Sequence, residues 1–323
     1  MRRFFYAILL AAMLPVCAFG QKTVHVATAG TLPTLISDAE KYTIENLTVT
    51  GQLNGTDLRL LRDMAGNNWQ GNLTDGKLST LDLSGATIVE GGEKYVDTDR
   101  IYYDKEGSWK DNISFNTVDN VFPPYAFMGC NSLQVIKLPS TVVEIGKCAF
   151  AIGMLTSITV PSTVRIIGQQ AFYDCDRLTT FEMPAALTSI GRAAFSYTGL
   201  TAVTLPAGVT EIGKMAFNGS NNLKEIYACM AEPCTIDAKT FSVFDTAKLY
   251  VPNGSAAAYQ AADNWNKFSN MAEFNPTGIH GLQAEGPYDV FSLQGRHLVR
   301  GATSLEGLSR GIYIVNGRKH VIK

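Results

Sequence analysis

The sequence predicts a solenoid of stacked repeats, with a parallel β-strand and a short helical turn in each repeat. Three series of residues carry this prediction, because all three recur every 22 or 23 residues and change their spacing together. A period of this length is typical of chains in which each unit packs only on its neighbours. The series are Phe127, Phe150, Phe172, Phe195 and Phe217, then Pro139, Pro161, Pro184 and Pro206, and finally Gly146, Gly168, Gly191 and Gly213.

The repeat also divides into elements. A segment L-x-x-I-x-L ends in the alternation of a half-buried strand. Proline follows and ends the strand, because it cannot donate to a parallel ladder. Residues such as Gln169–Phe172 favour a brief helical turn that carries the ring into the core. The apolar positions form columns, two of which are Leu133, Leu155, Leu178, Leu200 and Leu223, and Ile136, Ile158, Phe181, Val203 and Ile226.

Strings such as AFYDCDRLTTFEMP and LPSTVVEIGKCAF resemble the BspA-like leucine-rich repeats of bacterial surface and secreted proteins. The repeats with their closing cap are placed at residues 121–275. The resemblance implies an α/β solenoid of leucine-rich-repeat type with terminal caps. It also implies a surface or secreted location and adhesion to host or extracellular-matrix proteins. It does not specify a ligand.

Both ends of the array are expected to be capped, since a solenoid must cover its first and last core layers. Residues 21–90 are interpreted as an N-terminal cap and degenerate repeats. They include a short helix in TLPTLISDAEKY, a strand in LTVTG, a polar turn at Asn54–Asp57, a helix in LRLLRDMAG stopped by Gly66, and a strand at Leu81–Leu83. At the other end, a helix from about Ser255 to Asp263 precedes Trp265 and Phe268, which would cover the last layer.

The first 20 residues have the features of a secretory signal peptide. Arg2 and Arg3 precede an apolar run from Phe4 to Val16, which is too short to span a membrane. Cys17 leaves lipidation open, although a lipobox favours a small residue where Val16 stands. The whole chain of 323 residues is 46% hydrophobic with a formal charge of −2, so nothing favours nucleic acid or an anionic membrane as partner. Any membrane attachment would come from an anchor.

Five further cysteines are interpreted mainly as core residues. Cys130 and Cys175 share a column two repeats apart, or about 9–10 Å at roughly 4.8 Å per strand. A disulfide requires α-carbons within about 7 Å, so both are expected to be free. Cys229 and Cys234 are close in sequence, and whether they pair stays open. Their spacing is not a metal signature.

Residues 278–323 are interpreted as a small C-terminal β-hairpin module. Asn316-Gly317 is a strong hairpin signal between two strand-like segments. The ending GIYIVNGRKHVIK resembles the sorting and anchoring modules of secreted Bacteroidetes proteins. A small β-domain without a sorting role is the alternative.

Residues 91–120 interrupt the repeat and are interpreted as an insertion loop. Its acids do not fit a calcium loop, because Ile101 stands where a third ligand belongs. Its aromatic residues could form a binding patch, since tyrosine and tryptophan serve well as interface anchors, or could pack against the solenoid. They are Tyr95, Tyr102, Tyr103 and Trp109.

The sequence contains no catalytic, cofactor or metal signature that would favour an enzyme. The four histidines, His25, His280, His297 and His320, all lie outside the repeats, which excludes a histidine-based site built wholly on them. The outward strand positions are nearly uncharged and rich in threonine. Either threonine is there because it fits strands well, or the positions together form a flat binding face. Together with Tyr102, Tyr103 and Trp109, the candidate ligand-binding residues are Lys137, Thr159, Glu182, Thr204 and Tyr227.

The leading hypothesis is therefore a non-enzymatic secreted or cell-surface binding protein, acting in adhesion or protein–protein interaction. Its partner would be an extracellular protein or glycan, possibly of a host matrix. A structural scaffold of the bacterial envelope is the alternative. A more remote one is an extracellular hydrolase with its site in residues 91–120.

Overall fold

The computed structural model describes residues 20–96 and 117–276, and the backbone of four strands between residues 288 and 322. It divides into two units, Met1–Glu273 and Phe274–Lys323. Several predictions fall outside the described residues: the signal peptide up to residue 19, with Cys17, and the insertion residues Tyr102, Tyr103 and Trp109.

The predicted parallel strands form the first of two rows in unit 1. Most of these strands bury a central apolar residue, as Ile136 and Ile226 do, although Ile158 is only half-buried. The row therefore forms one wall of the core. The strands of this row are β1 Gln21–Val26, β2 Asn46–Leu53, β3 Thr80–Asp82, β4 Ala86–Ile88, β6 Val135–Lys137, β8 Ser157–Thr159, β11 Ala202–Leu205, β13 Glu225–Ala228, β14 Lys248–Pro252 and β15 Asn270–Phe274. They form two sheets. The first has the order β1-β2-β3-β6-β8, with β4 also paired to β2, and the second has the order β11-β13-β14-β15.

The first row is interrupted at the rung that contains Phe181, where no strand is assigned. Phe181 occupies the column that holds isoleucine or valine in the other repeats. Its ring packs edge-on against Phe172 and Phe195, with centroids 5.0 and 4.8 Å apart. We attribute the interruption to this larger ring, which keeps its backbone from the ladder position that a β-branched side chain allows.

A second row of two-residue strands, which the sequence analysis did not predict, follows each proline. The strands are parallel, and each buries its isoleucine or phenylalanine in the core. The glycines of the Ile-Gly dipeptides are explained by the close approach of neighbouring rungs. A Cβ on Gly213 would lie 2.4 Å from the backbone nitrogen of Arg192. The row consists of β5 Val121–Phe122, β7 Glu144–Ile145, β9 Ile166–Ile167, β10 Ser189–Ile190 and β12 Glu211–Ile212, in the order β12-β10-β9-β7-β5.

The Ala-Phe turn differs from the expected helical turn. In the rung of Phe172 the amides of Gln170, Phe172 and Asp174 donate to carbonyl oxygens of the next rung. Gln170 and Asp174 adopt left-handed conformations, with φ of 55° and 57°, which turns alternate amides outward. A helix would use these amides internally, so the ladder between rungs excludes it. The predicted solenoid of stacked repeats with parallel strands is confirmed, with turns in place of the short helices.

The phenylalanines stack into a continuous column, as the repeat predicts. From Phe150 onward, neighbouring rings have centroids 5.1–5.4 Å apart and planes within 13° of parallel. All are buried, and the column extends one rung further than the recurring Ala-Phe dipeptide, to Phe241. The column therefore links every repeat to its neighbours.

The N-terminal cap is built on two helices, α1 Leu32–Leu35 and α2 Gly55–Met64. The predicted polar turn is instead the start of α2, where Asn54 and Asp57 form a capping box. Buried Asp57 also accepts hydrogen bonds from the amides of Gly30 and Leu32. This single carboxylate therefore joins the two helices.

The last core layer is closed as predicted. Trp265 and Phe268 are buried and lie 6.0 and 5.5 Å from the Phe241 ring. A helix, α3 Ala256–Ala261, and a 3-10 turn, Trp265–Lys267, position them. Ser255 precedes α3 at the N-cap position, but its hydroxyl donates to the Ala231 carbonyl oxygen and accepts no hydrogen bond from a helix amide.

Unit 2 contains an antiparallel sheet of order β17-β16-β18-β19. In the last pair Val315 lies opposite Arg318, the register of a two-residue hairpin connection. Residues 316 and 317 lie outside the described residues. The strands are β16 Tyr288–Ser292, β17 His297–Ala302, β18 Gly311–Val315 and β19 Arg318–Ile322.

Candidate functional site

The five predicted outward residues lie on the first row, but in two groups. Lys137 and Thr159 are register partners on β6 and β8, and Thr204 and Tyr227 are partners on β11 and β13. Glu182 is exposed on the interrupted rung between them. The predicted surface is thus one face along the solenoid, divided where the first row is interrupted.

Lys137 of the first group is engaged within the protein. Lys137 Nζ donates to Asp82 Oδ2, 2.7 Å away on the neighbouring strand β3. Burial opposes ionisation of Asp82, but hydrogen bonds from Lys137 and Ser84 outweigh it and hold the pKa of its carboxyl below the usual value. A partner would have to compete with this pair for Lys137.

The second group contains a preformed cluster, the tyrosine patch, made of Tyr227, Tyr250, Glu225 and Lys248. The rings of Tyr227 and Tyr250 are stacked, with centroids 4.4 Å apart and planes 6° from parallel. Both hydroxyls donate to the Glu225 carboxylate, at 3.1 and 3.4 Å. Lys248 Nζ lies 4.7 Å from the Tyr250 ring centre. The patch therefore presents aromatic rings held in place by their own polar groups.

The electrostatics of the patch favour binding over proton transfer. Burial, with the nearby Glu225 carboxylate as a second cause, raises the pKa of the Tyr227 hydroxyl above its usual value. The hydroxyl therefore stays protonated at physiological pH and acts as a hydrogen-bond donor. Stacked tyrosines beside a carboxylate and an ammonium group suit an interface anchor, because they offer apolar area at little entropic cost.

The sequence analysis named Tyr227 but did not single out Tyr250. The signal was present: Tyr250 follows Tyr227 by one repeat, and the two are register partners. The repeat pattern decays at this point, so the column was not continued. The Asp82 partner of Lys137 was missed because it precedes the clear repeats.

The insertion residues are only partly described. The two ends of the insertion meet where Gly91 and Thr117 pair as an antiparallel bridge. Tyr95 is buried, and its hydroxyl donates to the Pro124 carbonyl oxygen at 2.9 Å, so of its two interpretations packing against the solenoid is confirmed and the binding patch is not. For Tyr102, Tyr103 and Trp109 the binding patch stays a prediction.

The described residues contain no cluster of three or more His, Cys, Asp or Glu side chains that could hold a metal ion. The five described cysteines are free thiols, which answers the open question on Cys229 and Cys234. Burial raises the pKa of the Cys130 and Cys234 thiols to about 11 and that of Cys175 to about 12. These thiols are therefore poor nucleophiles at neutral pH. No helix within the described ranges is long and apolar enough to cross a membrane.

Comparison with known proteins confirms the resemblance in the repeat region. The family described as "BspA type Leucine rich repeat region" matches residues 111–249, in six copies. Six copies agree with a phenylalanine column that extends to Phe241. No curated protein matches the chain.

Several solved structures are similar to the chain. A leucine-rich repeat protein from Bacteroides ovatus is 29% identical, with a TM-score of 0.36, over 45% of this chain and 45% of that one. A leucine-rich repeat protein from T. pallidum is 28% identical, with a TM-score of 0.32, over 45% of this chain and 72% of that one. A leucine-rich cell surface protein from Faecalibacterium prausnitzii is 17% identical, with a TM-score of 0.28, over 80% of this chain and 88% of that one.

Proposed function

We propose that this protein is a non-enzymatic binding protein of the bacterial surface or surroundings. The match of residues 111–249 to the BspA type of leucine-rich repeat supports this proposal. Its partner is an extracellular protein that docks on the outward face of the first row. The observation that carries the proposal is the tyrosine patch on β13 and β14. The predicted signal peptide supports the location.

The patch has the composition expected of the energetic centre of an interface. Tyr227 and Tyr250 are partly exposed, and both rings are fixed before any partner arrives. A prearranged anchor loses little conformational entropy on binding. Thr204, one strand away, extends a surface of low charge, which needs little desolvation. The first group, with its engaged Lys137, would contribute less.

The test is binding of the purified mature protein to a panel of immobilised extracellular-matrix proteins. Replacing both tyrosines (Tyr227→Ala with Tyr250→Ala) is expected to weaken capture at least tenfold, since each anchor contributes about 1–2 kcal/mol or more. Tyr197→Ala, which alters an exposed tyrosine on an Ala-Phe turn outside the first row, is the matched control and should leave capture unchanged. Equal losses in both variants, or no specific capture by the unaltered protein, would contradict the proposal.

The envelope scaffold predicts a bacterial partner in place of a host one. Crosslinking in intact cells distinguishes the two, because a scaffold would be recovered with envelope proteins through the C-terminal module. A hydrolase in residues 91–120 would instead show activity against glycans or peptides that is lost when residues 97–116 are deleted. The resemblance of residues 278–323 to sorting modules is tested by deleting them and measuring export.

A further inference from the structure

A second concave surface lies in the N-terminal cap, far along the chain from the tyrosine patch. This cap cleft has a volume of about 710 Å³, within the range typical of small-ligand sites. One wall is a single face of α2, and the other is the loop 68–75. The residues used below are Tyr42, Arg59, Asp63, Trp69, Leu73 and Asp75.

The walls of the cap cleft are rigid. Asn67 and Leu73 pair as an antiparallel bridge, and the Asn68 side chain accepts hydrogen bonds from two amides within the loop. The Thr74 hydroxyl donates to the Asp63 carbonyl oxygen at 2.5 Å, which ties the loop to α2. The cleft is therefore formed before a ligand arrives, so ordering it costs little on binding.

The cleft places an aromatic ring beside fixed polar groups. The Arg59 guanidinium lies 4.1 Å from the centre of the Trp69 ring, and Arg59 Nη1 donates to Glu93 Oε2 at 2.5 Å. Trp69 is nevertheless partly exposed. The Tyr42 hydroxyl donates to Asp63, which also pairs with Lys41 at 3.1 Å. The ring, the guanidinium and the carboxylate are thus held in fixed orientations.

The charges of the cleft nearly balance. Arg59 forms an ion pair with Glu93, and Lys41 forms one with Asp63. Among the described contacts, Asp75 is the one acid of the cleft without an ion pair. This balance disfavours sulfated or phosphorylated ligands and gives little attraction for a strongly basic peptide. A neutral ligand that combines apolar and hydrogen-bonding surface suits it better.

We infer that the cap cleft binds a neutral oligosaccharide. A sugar ring has an apolar C–H face that can lie on an indole, and its hydroxyl groups both donate and accept hydrogen bonds. Trp69 and Leu73, which is 73% exposed, supply the apolar contacts. Arg59 supplies donors, Asp63 and Asp75 supply acceptors, and the Tyr42 hydroxyl can do either. This site is separate from the tyrosine patch and does not depend on the function proposed for it.

Calorimetric titration of the full mature protein with a panel of neutral oligosaccharides tests the inference. The panel comprises oligomers of glucose, xylose, mannose and N-acetylglucosamine. At least one is expected to bind at millimolar concentration or below. Trp69→Ala should weaken that binding about tenfold or more, equivalent to about 1.4 kcal/mol, because it removes the ring on which the sugar face stacks. Asp75→Ala alters an exposed side chain, so it keeps the test valid if Trp69→Ala does not fold, and it should weaken binding several-fold.

The Tyr227→Ala, Tyr250→Ala double variant is the matched control and should bind the sugar normally, so the two sites fail or succeed independently. The inference is overturned if no neutral oligosaccharide in the panel binds at millimolar concentration. It is also overturned if binding persists unchanged in both cleft variants. Binding of oligolysine or heparin in place of neutral sugars, lost in the same variants, would assign the cleft to a charged ligand and overturn it too.

Discussion

At the scale of single residues, backbone conformation decides which side chains each turn accepts. Every Ala-Phe turn has two left-handed positions, one before the dipeptide and one two residues after the phenylalanine. The second position is Gly129 in the first clear repeat and Gly219 in the fifth, with φ of 69° and 77°. The intervening repeats place other residues there and accept the strain, because the ladder between rungs fixes the conformation.

Gly219→Ala is expected to destabilise the protein by about 1–2 kcal/mol. Alanine resists a left-handed conformation, and its Cβ would lie 2.5 Å from the Tyr197 ring. Gly208→Ala is the control, because its Cβ would approach nothing closer than 3.4 Å. The free energy of unfolding from urea titration measures both, and a Gly208→Ala cost as large as that of Gly219→Ala would contradict the explanation.

The buried thiols give a second expectation for single residues. Burial raises the pKa of Cys130 to about 11 and that of Cys148 to about 12, so at pH 8 both stay protonated and enclosed. The pKa of Cys234 is also about 11, so exposure is what separates the thiols. Alkylation of the native protein at pH 8 should modify half-buried Cys229 and Cys234 first. Peptide mapping after brief iodoacetamide treatment measures this. In urea all should react alike, and rapid native labelling of Cys130 or Cys148 would refute the burial.

At the scale of elements, the ends of the turn ladder need their own partners. Each Ala-Phe turn directs its carbonyl oxygens to the preceding rung, but the first turn has no such rung. Tyr95 donates to the Pro124 oxygen, and buried Arg62 donates to the Ala126 and Met128 oxygens at 2.9 and 3.2 Å. Arg62 also donates to the Tyr125 oxygen at 2.7 Å. Arg62 of helix α2 and Tyr95 thus supply the hydrogen bonds that a further repeat would have made.

Arg62→Met is expected to destabilise the protein by about 3 kcal/mol, because it leaves several buried carbonyl oxygens without donors. Methionine keeps much of the side-chain volume, so the loss reports on hydrogen bonds more than on packing. Arg177→Met, on an exposed loop, is the matched control and should change the unfolding free energy by less than about 0.5 kcal/mol. Similar values for the two variants in urea titration would refute the capping role.

At the scale of the whole molecule, unit 1 is closed at both ends. The last layer is covered by Trp265 and Phe268, which precede unit 2 in the chain. The phenylalanine column joins the repeats between the caps, so stability is the sum of many contacts between neighbouring rungs. Nothing in that sum requires the C-terminal sheet.

A chain that ends at Pro276 should therefore melt within a few degrees of the full mature protein in a calorimetric scan. A chain that ends at Asp263 loses Trp265 and Phe268 and is the informative control. It should lose several kcal/mol or fail to fold, because the Phe241 layer becomes exposed. A large drop on removing residues 277–323 alone would show that unit 2 stabilises the solenoid.

The sequence predicted the features that recur in every repeat, because the same pattern is seen independently in five units. The apolar columns and the burial of the recurring phenylalanines were predictable on that basis. The closing role of Trp265 followed from a different argument, that a solenoid must cover its last core layer. Two-residue strands such as β7 are too short for periodicity to reveal. The contacts of Arg62 join residues more than 60 positions apart, and only the folded chain brings them together. The cap cleft was missed for the same reason.

The cap formed by Arg62 and Tyr95 also bears on assembly. Every Ala-Phe turn presents amides on one side and carbonyl oxygens on the other, so an open first turn would complement an open last turn of another copy. Such a head-to-tail contact never closes on itself and leads to fibres. By occupying these carbonyl oxygens with side chains of the same chain, the cap removes the acceptors on which such a contact would depend.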